Sequence, residues 1–543
     1  MSNSDAEPDG VGQQHSASPP RILIIGAGSR GQTYAEATAK STNGVVVAVA
    51  EPDAYKRGQL GRRHIWGDGQ PGEGQSFVGW QSFVAYERRR REGQNKDKRA
   101  EGEDQKDQKD QGVDAVFVCV LDEQHRAVVE ALAALGGLHV MCEKPLATTL
   151  ADCVAMYRAL QQQGPAGGGD VQALFAIGHV LRYSPHNRLL RRLVREEKAI
   201  GSVLSVVHTE PIGWWHFTHS YVRGNWRRED TTAPSLLTKS CHDLDVLLWL
   251  LSAPLVGSHD TKAHRPATVS SSGALQMFRR SRKPAAAGTA TNCLACAAEP
   301  DCLYSARRIY VDGQLRGLAT GNHGWPVSIV VPDIEDIATR RGEAAARNTL
   351  LGRLADDYDR GRTPDSVVAA RNWFGRCVFE ADNDVCDEQV VVVTWDDEPD
   401  DDARNTKTAK TATFHMVAHT AKICERYTHL YGEHGEIYAD QTAITVQDFR
   451  TGTTTVHRPQ AETETEGHGG GDTGLTRAFV LAVDRVKNGG WPIDRAQREI
   501  IGCTLDEVLR SHALVFCAEA ARRSRTVIDW DDWWKREVGV VVV

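Results

Sequence analysis

The stretch RILIIGAGSRG (Arg21–Gly31) constrains the chain more than any other. An apolar run ends in three glycines, Gly26, Gly28 and Gly31, at GxGxxG spacing, and the helix-compatible QTYAEATAK follows. The first glycine permits a tight turn, the second lets backbone approach a pyrophosphate, and the third lets helix and strand pack closely. Amides exposed at the following helix start favour phosphate. VVVAVAEPD (Val45–Asp53), VDAVFVCV (Val113–Val120) and HVMCEKP (His139–Pro145) are further apolar runs with helical stretches between them. Strands apolar throughout, alternating with helices, predict a parallel sheet covered on both faces.

Glu51 ends the second run, where a carboxylate can accept from ribose hydroxyls and would repel a 2′-phosphate. That spacing predicts NAD, while Arg30, Lys56 and Arg57 keep NADP open. From about Gly201 the style shifts to alternating strands such as SVLSVVHTE, DEQVVVVTW and TATFHMVAHT. The expected fold class is an α/β N-terminal Rossmann domain with a doubly wound parallel sheet, then an α+β C-terminal domain with an open, mostly antiparallel sheet. The expected boundaries are a disordered tail at 1–20, the Rossmann domain at 21–185, the second domain at 186–530 and a tail at 531–543. ERRRREGQNKDKRAEGEDQKDQKDQG (Glu87–Gly112) reads as a solvated helix extension or disordered insert, and further polar inserts fall at about 256–290, 396–410 and 457–474.

A net charge of −8 argues against a general nucleic-acid binder. No window is apolar enough for a membrane span, and the polar start carries no secretory signal. Twelve mostly isolated cysteines suit reduced thiols in the cytoplasm.

In MCEKPLA, Lys144 closes the fourth run beside Pro145, which stiffens the lysine's mount and allows a cis bond. TKSCHDLD (Thr238–Asp245) precedes the apolar VLLWLL. A helix from an N-cap at Ser235 to about Leu251 would carry an apolar stripe at Leu237, Leu244, Leu248 and Leu251. Lys239, His242 and Asp243 would then share another face, with Asp245 also in reach of His242. A neutral histidine can accept a hydroxyl proton, and a fixed cation stabilises the alkoxide that forms.

The GAGSRG loop, AEPD, VCVLDEQH, EKPLA, GHVLRYSP, IGSVLSVVHTE and HDLD together resemble the glucose–fructose oxidoreductase/inositol dehydrogenase (Gfo/Idh/MocA) family. The resemblance implies an NAD(P)-dependent dehydrogenase of sugars, inositols or polyols, associating with its own kind through the C-terminal sheet. It implies that Lys144 binds the reacting oxygen and His242 acts as acid–base. It also implies cofactor contacts from Ser29, Leu121, His125, Glu143 and Arg182, besides the glycines, Arg30, Glu51 and Lys144. Where the family pattern has an aspartate, this chain has Thr238. The expectation is therefore that Asp243 or Asp245 orients His242 and that Lys239 supplements Lys144. Substrate contacts are expected from Tyr183, Trp215, His216 and Trp226, and from Asp472 if HGGGD forms a mobile loop over the substrate rather than a plain turn. Cys293, Cys296 and Cys302 read as a thiol-rich turn; as a metal site they would need His264 or His323 as fourth ligand. Two rival readings are an NAD-dependent glycoside hydrolase and a non-catalytic dinucleotide-binding regulator.

Overall fold

Strands β1 (Arg21–Ile25), β2 (Val45–Ala50), β3 (Ser76–Phe77), β4 (Ala115–Val118), β5 (His139–Cys142) and β6 (Phe175–Ile177) form a parallel sheet in the order β3-β2-β1-β4-β5-β6. Helices α1 (Ser29–Ser41), α2 (Ala54–His64), α3 (Trp80–Ala100), α4 (His125–Leu135) and α5 (Leu150–Gln161) connect the strands. Ile22, Leu23, Ile24, Val116 and Phe117 are wholly buried, as a strand covered on both faces requires. The strand order reverses between β1 and β4, the switch point at which doubly wound sheets bind ligands. The computed structural model describes residues 18–100, 112–161, 173–254, 262–399, 406–459 and 467–539.

The chain divides into two compact units, Met1–Arg188 with Gln460–Arg510, and Leu189–Pro459 with Ser511–Val543. The expected boundaries miss this return of the chain. Phe479, in the helix Gly471–Lys487, meets Phe117 edge-on at 5.4 Å between ring centroids, and Lys487 Nζ lies 2.7 Å from Asp114. Apolar and ionic complementarity thus brings a late segment onto the first sheet. As far as Ala100 the charged insert takes the first of its two expected forms, a helix extension, because α3 runs through it. Glu87 is buried between Arg90 and Arg91, and Arg91 Nη1 donates to the Leu135 carbonyl ending α4. Residues 1–17, 101–111 and 540–543 lie outside the described part, so the expected terminal tails and the rest of the insert are described only up to those limits.

In the second unit, β7 (Val203–Pro211), β8 (Thr268–Ala274), β9 (Glu388–Trp395), β12 (Lys410–Val417), β13 (Tyr427–Gly432), β14 (Gly435–Ala439), β15 (Ile444–Asp448), β16 (Thr453–His457) and β17 (Ile528–Asp529) form one sheet, while β10 (Glu398–Pro399) and β11 (Thr406–Lys407) pair separately. The nine-strand order is β16-β15-β14-β13-β7-β12-β9-β8-β17, and only the β7–β12 pair is parallel. Along β9, Gln389, Val391, Val393 and Trp395 are buried while their neighbours are half-exposed. That alternation marks a sheet with one packed and one open face.

Three sequence expectations change here. The insert near 256–290 contains β8, which pairs along its whole length with β9. Between β8 and β9 the chain makes a helical excursion with its own core of Ile309, Tyr310, Val327, Ile334, Leu350 and Leu354. Residues 531–537 form a helix with 530, anchored by the buried Trp530 and Trp533.

Candidate functional site

The three glycines of the first unit do three different jobs. Gly26 has φ +95°, and a Cβ there would sit 2.4 Å from the Cys119 carbonyl oxygen. A Cβ on Gly31 would lie 2.0 Å from the Gly26 oxygen. A Cβ on Gly28 would meet nothing within 4 Å, so this glycine keeps open the space where a pyrophosphate approaches. Ser29 is exposed at the start of α1, where backbone amides lack helical partners. Glu51 Oε2 accepts from Ala27 N at 2.8 Å and Oε1 from Asp53 N at 2.9 Å. Its carboxylate braces the loop, a task that spacing alone did not indicate.

Arg30 is not a spare cation. Its Nε donates to Glu143 Oε1 at 2.6 Å, and Nη2 donates to Tyr34 Oη at 2.6 Å and Asp472 Oδ1 at 2.7 Å. Burial opposes ionisation of Glu143, yet Arg30 and the Tyr34 hydroxyl outweigh it and hold the carboxyl below its ordinary range. Asp472 behaves likewise, with burial outweighed by Arg30 and His468. Arg30 therefore cannot serve a 2′-phosphate without leaving two buried carboxylates, which removes one support for NADP. Asp472 is corrected from a substrate contact to a structural anion. Both its oxygens are engaged, and Gly471 packs too tightly on Val180 to admit a Cβ. The stretch His468–Gly470 is a left-handed turn that starts a helix.

Lys144 follows β5, its amide donates to Glu143 Oε2 at 3.0 Å, and the Lys144–Pro145 bond is cis. His125 is fully buried, with Nδ1 2.7 Å from the Pro145 oxygen and Nε2 3.3 Å from the Val120 oxygen. It braces the lysine's turn, which corrects its expected role as a cofactor contact. Leu121 is exposed at the adjoining end of β4 and stays accessible. Arg182 pairs with Glu507 at 2.9 Å, and the Tyr183 hydroxyl donates to the Ile501 oxygen at 2.8 Å. Both are buried and bonded within this unit.

In the second unit the expected single helix breaks at Ser240 into Ser235–Thr238 and Cys241–Leu251. Pro234 takes the cap position, while the Ser235 hydroxyl donates to the Cys386 oxygen. All of Cys241–Leu251 is buried, and its polar residues join an internal ion cluster. Arg426 Nη2 lies 2.8 Å from His242 Nε2, and its guanidinium pairs with both Asp243 and Glu210. Asp243 Oδ2 is 3.3 Å from the same His242 nitrogen, and Asp243 Oδ1 is 3.2 Å from His208 Nε2. His208 Nδ1 in turn meets the Thr428 hydroxyl at 2.7 Å. Lys239 Nζ lies 3.0 Å from Cys424 Sγ and 3.3 Å from Glu210. Thr238 is buried and bonds back to the Pro234 carbonyl.

Burial raises Glu210 to about 7 against the pull of Arg426, whereas Arg426 overcomes burial to hold Asp243 well below its ordinary value. One ligand atom from each of Glu210, His242 and Asp243 falls within a 4.8 Å cluster, a spacing compatible with a metal ion. Arg426 already supplies the cation there. Of the two candidate orienting acids, Asp243 is beside His242, and Asp245 is fully buried in the same helix. Lys239 is committed to Glu210 and Cys424. Glu210, Arg426, His208 and Cys424 were missed in the sequence, although His208 and Glu210 alternate onto one face of β7.

The expected sugar contacts separate. Trp215 is buried in the core of the helical excursion, against Trp325 at 5.0 Å. His216 is half-buried, edge-on to Trp325, with Nδ1 3.8 Å from Cys424 Sγ, beside the ion cluster. Trp226 stacks on Tyr221 at 5.7 Å. Cys293 Sγ receives Arg223 Nη2 at 3.3 Å. Neither expected fourth ligand serves the thiols: His264 binds the Asp396 oxygen and Lys410, and His323 faces Glu343.

The first unit thus has the strand order and glycine turn of a dinucleotide-binding Rossmann fold. Residues 20–166 match the family described as "Oxidoreductase family, NAD-binding Rossmann fold" (GFO_IDH_MocA). An Escherichia coli (strain K12) 2,7-anhydro-N-acetylneuraminate hydratase is 31% identical over 139 residues, covering 26% of this chain and 34% of that protein. Inositol 2-dehydrogenase 1 of Saccharopolyspora erythraea is 32% identical over 147 residues, covering 27% and 38%. The chain thus spans little more than a third of the length of the relatives it matches. Among solved structures, levoglucosan dehydrogenase in complex with NADH and levoglucosan aligns with a TM-score of 0.55 at 13% identity, over 94% of this chain and 99% of that one. An oxidoreductase from Agrobacterium radiobacter, in complex with NAD+, L-tartaric acid and magnesium, aligns at 0.53 and 13%, over 94% and 98%. At such identity the likeness is one of fold.

Proposed function

We propose that the protein is an NAD-dependent oxidoreductase exchanging hydride between the cofactor and a secondary alcohol of a sugar, inositol or related polyol. The observation that carries this reading is the joint presence, at one carboxyl edge of a parallel sheet, of an open Gly28 turn and the braced Lys144. Ligands of doubly wound sheets bind at that edge. Bound NAD supplies the hydride acceptor at nicotinamide C4. The Lys144 ammonium holds the reacting oxygen and stabilises negative charge as it develops there. His242 exchanges the hydroxyl proton, with Asp243 as the carboxylate beside it. Lys239 is tied to Glu210, so Lys144 acts as the oxygen-binding cation without that supplement.

A panel of sugars and inositols followed at 340 nm with NAD and with NADP tests the reading. NAD-dependent turnover of at least one polyol is the expected result, and inactivity on the whole panel overturns it. The match to a hydratase favours a second reading, transient oxidation within an elimination. Substrate consumption with no net NADH would select it. Loss of NAD binding altogether would leave neither.

The reading extends to self-association through the open face of the second sheet. Val207, His429, Tyr438, Thr445 and Val456 are successive cross-strand partners there, and Val207, Tyr438 and Val456 are exposed. It also places the protein in a reducing cytoplasm, in keeping with twelve free cysteines. Among the described residues no helix is long and apolar enough to cross a membrane.

A further inference from the structure

We infer that Arg426 locks His242 in one neutral form, with the ring proton on Nδ1, and so replaces the aspartate that is absent at position 238. Arg426 Nη2 approaches His242 Nε2 to 2.8 Å. A guanidinium has donors and no acceptor, and it stays charged at any pH a protein survives. The histidine nitrogen facing it must therefore offer a lone pair. Asp243 Oδ2 lies 3.3 Å from that same nitrogen, a distance at which an ordinary Asp–His pair would share a proton on Nε2. Such a proton would point into the Arg426 N–H. Arg426 settles the conflict by bonding to Asp243 and His242 together, and the neutral imidazole then carries its hydrogen on Nδ1.

Neighbouring groups hold the lock in place. Asp243 is on the same helix as His242, Arg426 precedes β13, and Glu210 on β7 takes the other side of the guanidinium. Lys239, in the turn before the helix, is drawn to Glu210, and His208 of β7 backs Asp243. Arg426 is thus pulled by two buried carboxylates while it donates to His242. Thr238, wholly buried and bonded to Pro234, brings no charge to compete. A proton can reach Nε2 only when Arg426 leaves it, which makes Arg426 a positioning residue that gates the exchange proposed for His242. This kinetic consequence rests on the proposed function; the tautomer does not.

The test is two-bond 1H–15N correlation on full-length protein labelled with 15N-histidine, with His242 assigned by the signal lost in His242→Gln. The expected result is an unprotonated Nε2 that holds from about pH 8 to about pH 6, where an ordinary histidine titrates. In Arg426→Met, Nε2 is expected to gain a proton against Asp243, and the apparent pKa to rise by about one unit or more. Arg426→Lys, which restores a cationic donor, should recover part of the wild-type spectrum. Should Arg426→Met fail to fold, Arg426→Met/Asp243→Asn removes one charge of each sign and should let His242 titrate as an ordinary histidine. A protonated Nε2 in the wild type, or the same spectrum with and without Arg426, overturns the inference. If no polyol is oxidised yet the spectra come out as expected, the proposed function falls and the lock stands. If polyols are oxidised while His242 titrates freely, the lock falls and the proposed function stands.

Discussion

Arg30 Nε lies 2.6 Å from Glu143 Oε1, and this ion pair ties the glycine turn to the residue next to Lys144. Tyr34 shortens the tether, its hydroxyl donating to Glu143 Oε1 at 2.5 Å. The glycine turn and the lysine proposed to bind the reacting oxygen are thus held by one network. Arg30→Ala strands Glu143 and Asp472, and breaking a buried pair in this way costs about 3–5 kcal/mol. Chemical denaturation at neutral pH should show a loss of that order.

The same carboxylates predict acid sensitivity. Glu143 and Asp472 have folded-state values below their unfolded ones, so the unfolded chain binds protons first as pH falls. Their contribution is complete above about pH 4–5, where unfolded carboxyls are ionised, and is lost progressively below it. Urea midpoints measured downward through this range should fall more steeply for wild type than for Glu143→Gln/Asp472→Asn.

Glu210 predicts the opposite slope. Burial raises it to about 7, so between roughly pH 4.5 and 7 the folded state binds the extra proton and stability declines as pH rises. Glu210→Gln should flatten melting temperature against pH across that window. An unchanged slope would show that Glu210 is ionised throughout.

The glycines separate folding from binding. Gly31→Ala places a Cβ 2.0 Å from backbone, and Gly28→Ala places one in open space. The first should fall in thermal stability by several degrees, as a strained backbone site would. Gly28→Ala should melt like wild type and yet weaken NAD binding about tenfold or more, about 1.4 kcal/mol by calorimetry.

For the proposed chemistry, Lys144→Ala and His242→Ala should each lower kcat about 10²–10⁴-fold, with NAD affinity within about twofold of wild type. Full turnover in either variant would remove that residue from the mechanism.

The first sheet was legible because local pattern decides it: each strand is an unbroken apolar run, and the glycine spacing states its own geometry. Thr238 was legible as an anomaly only through the family resemblance, whose pattern has an aspartate there. Its remedy was not, because Arg426, just ahead of β13, and Glu210, on β7, are distant from His242 in sequence, and pairing of β7 with β13 brings them together. Asp472 shows a different limit. A carboxylate in a glycine-rich stretch looks alike whether it faces solvent or closes a buried ion pair. The helical excursion between β8 and β9 escaped because most of its helices are too short to show a sustained period.

The return of Gln460–Arg510 to the first unit has a consequence for how the protein is made. The nucleotide-binding sheet emerges early in synthesis, but the helix that covers Phe117 follows only after Leu189–Pro459 has been translated. Until then that sheet presents an apolar face to the cell, and a fragment ending near residue 188 would keep it exposed permanently. Such a fragment should therefore depend on chaperones or aggregate, whereas co-expression with a separate 460–510 peptide offers a route to rescue it.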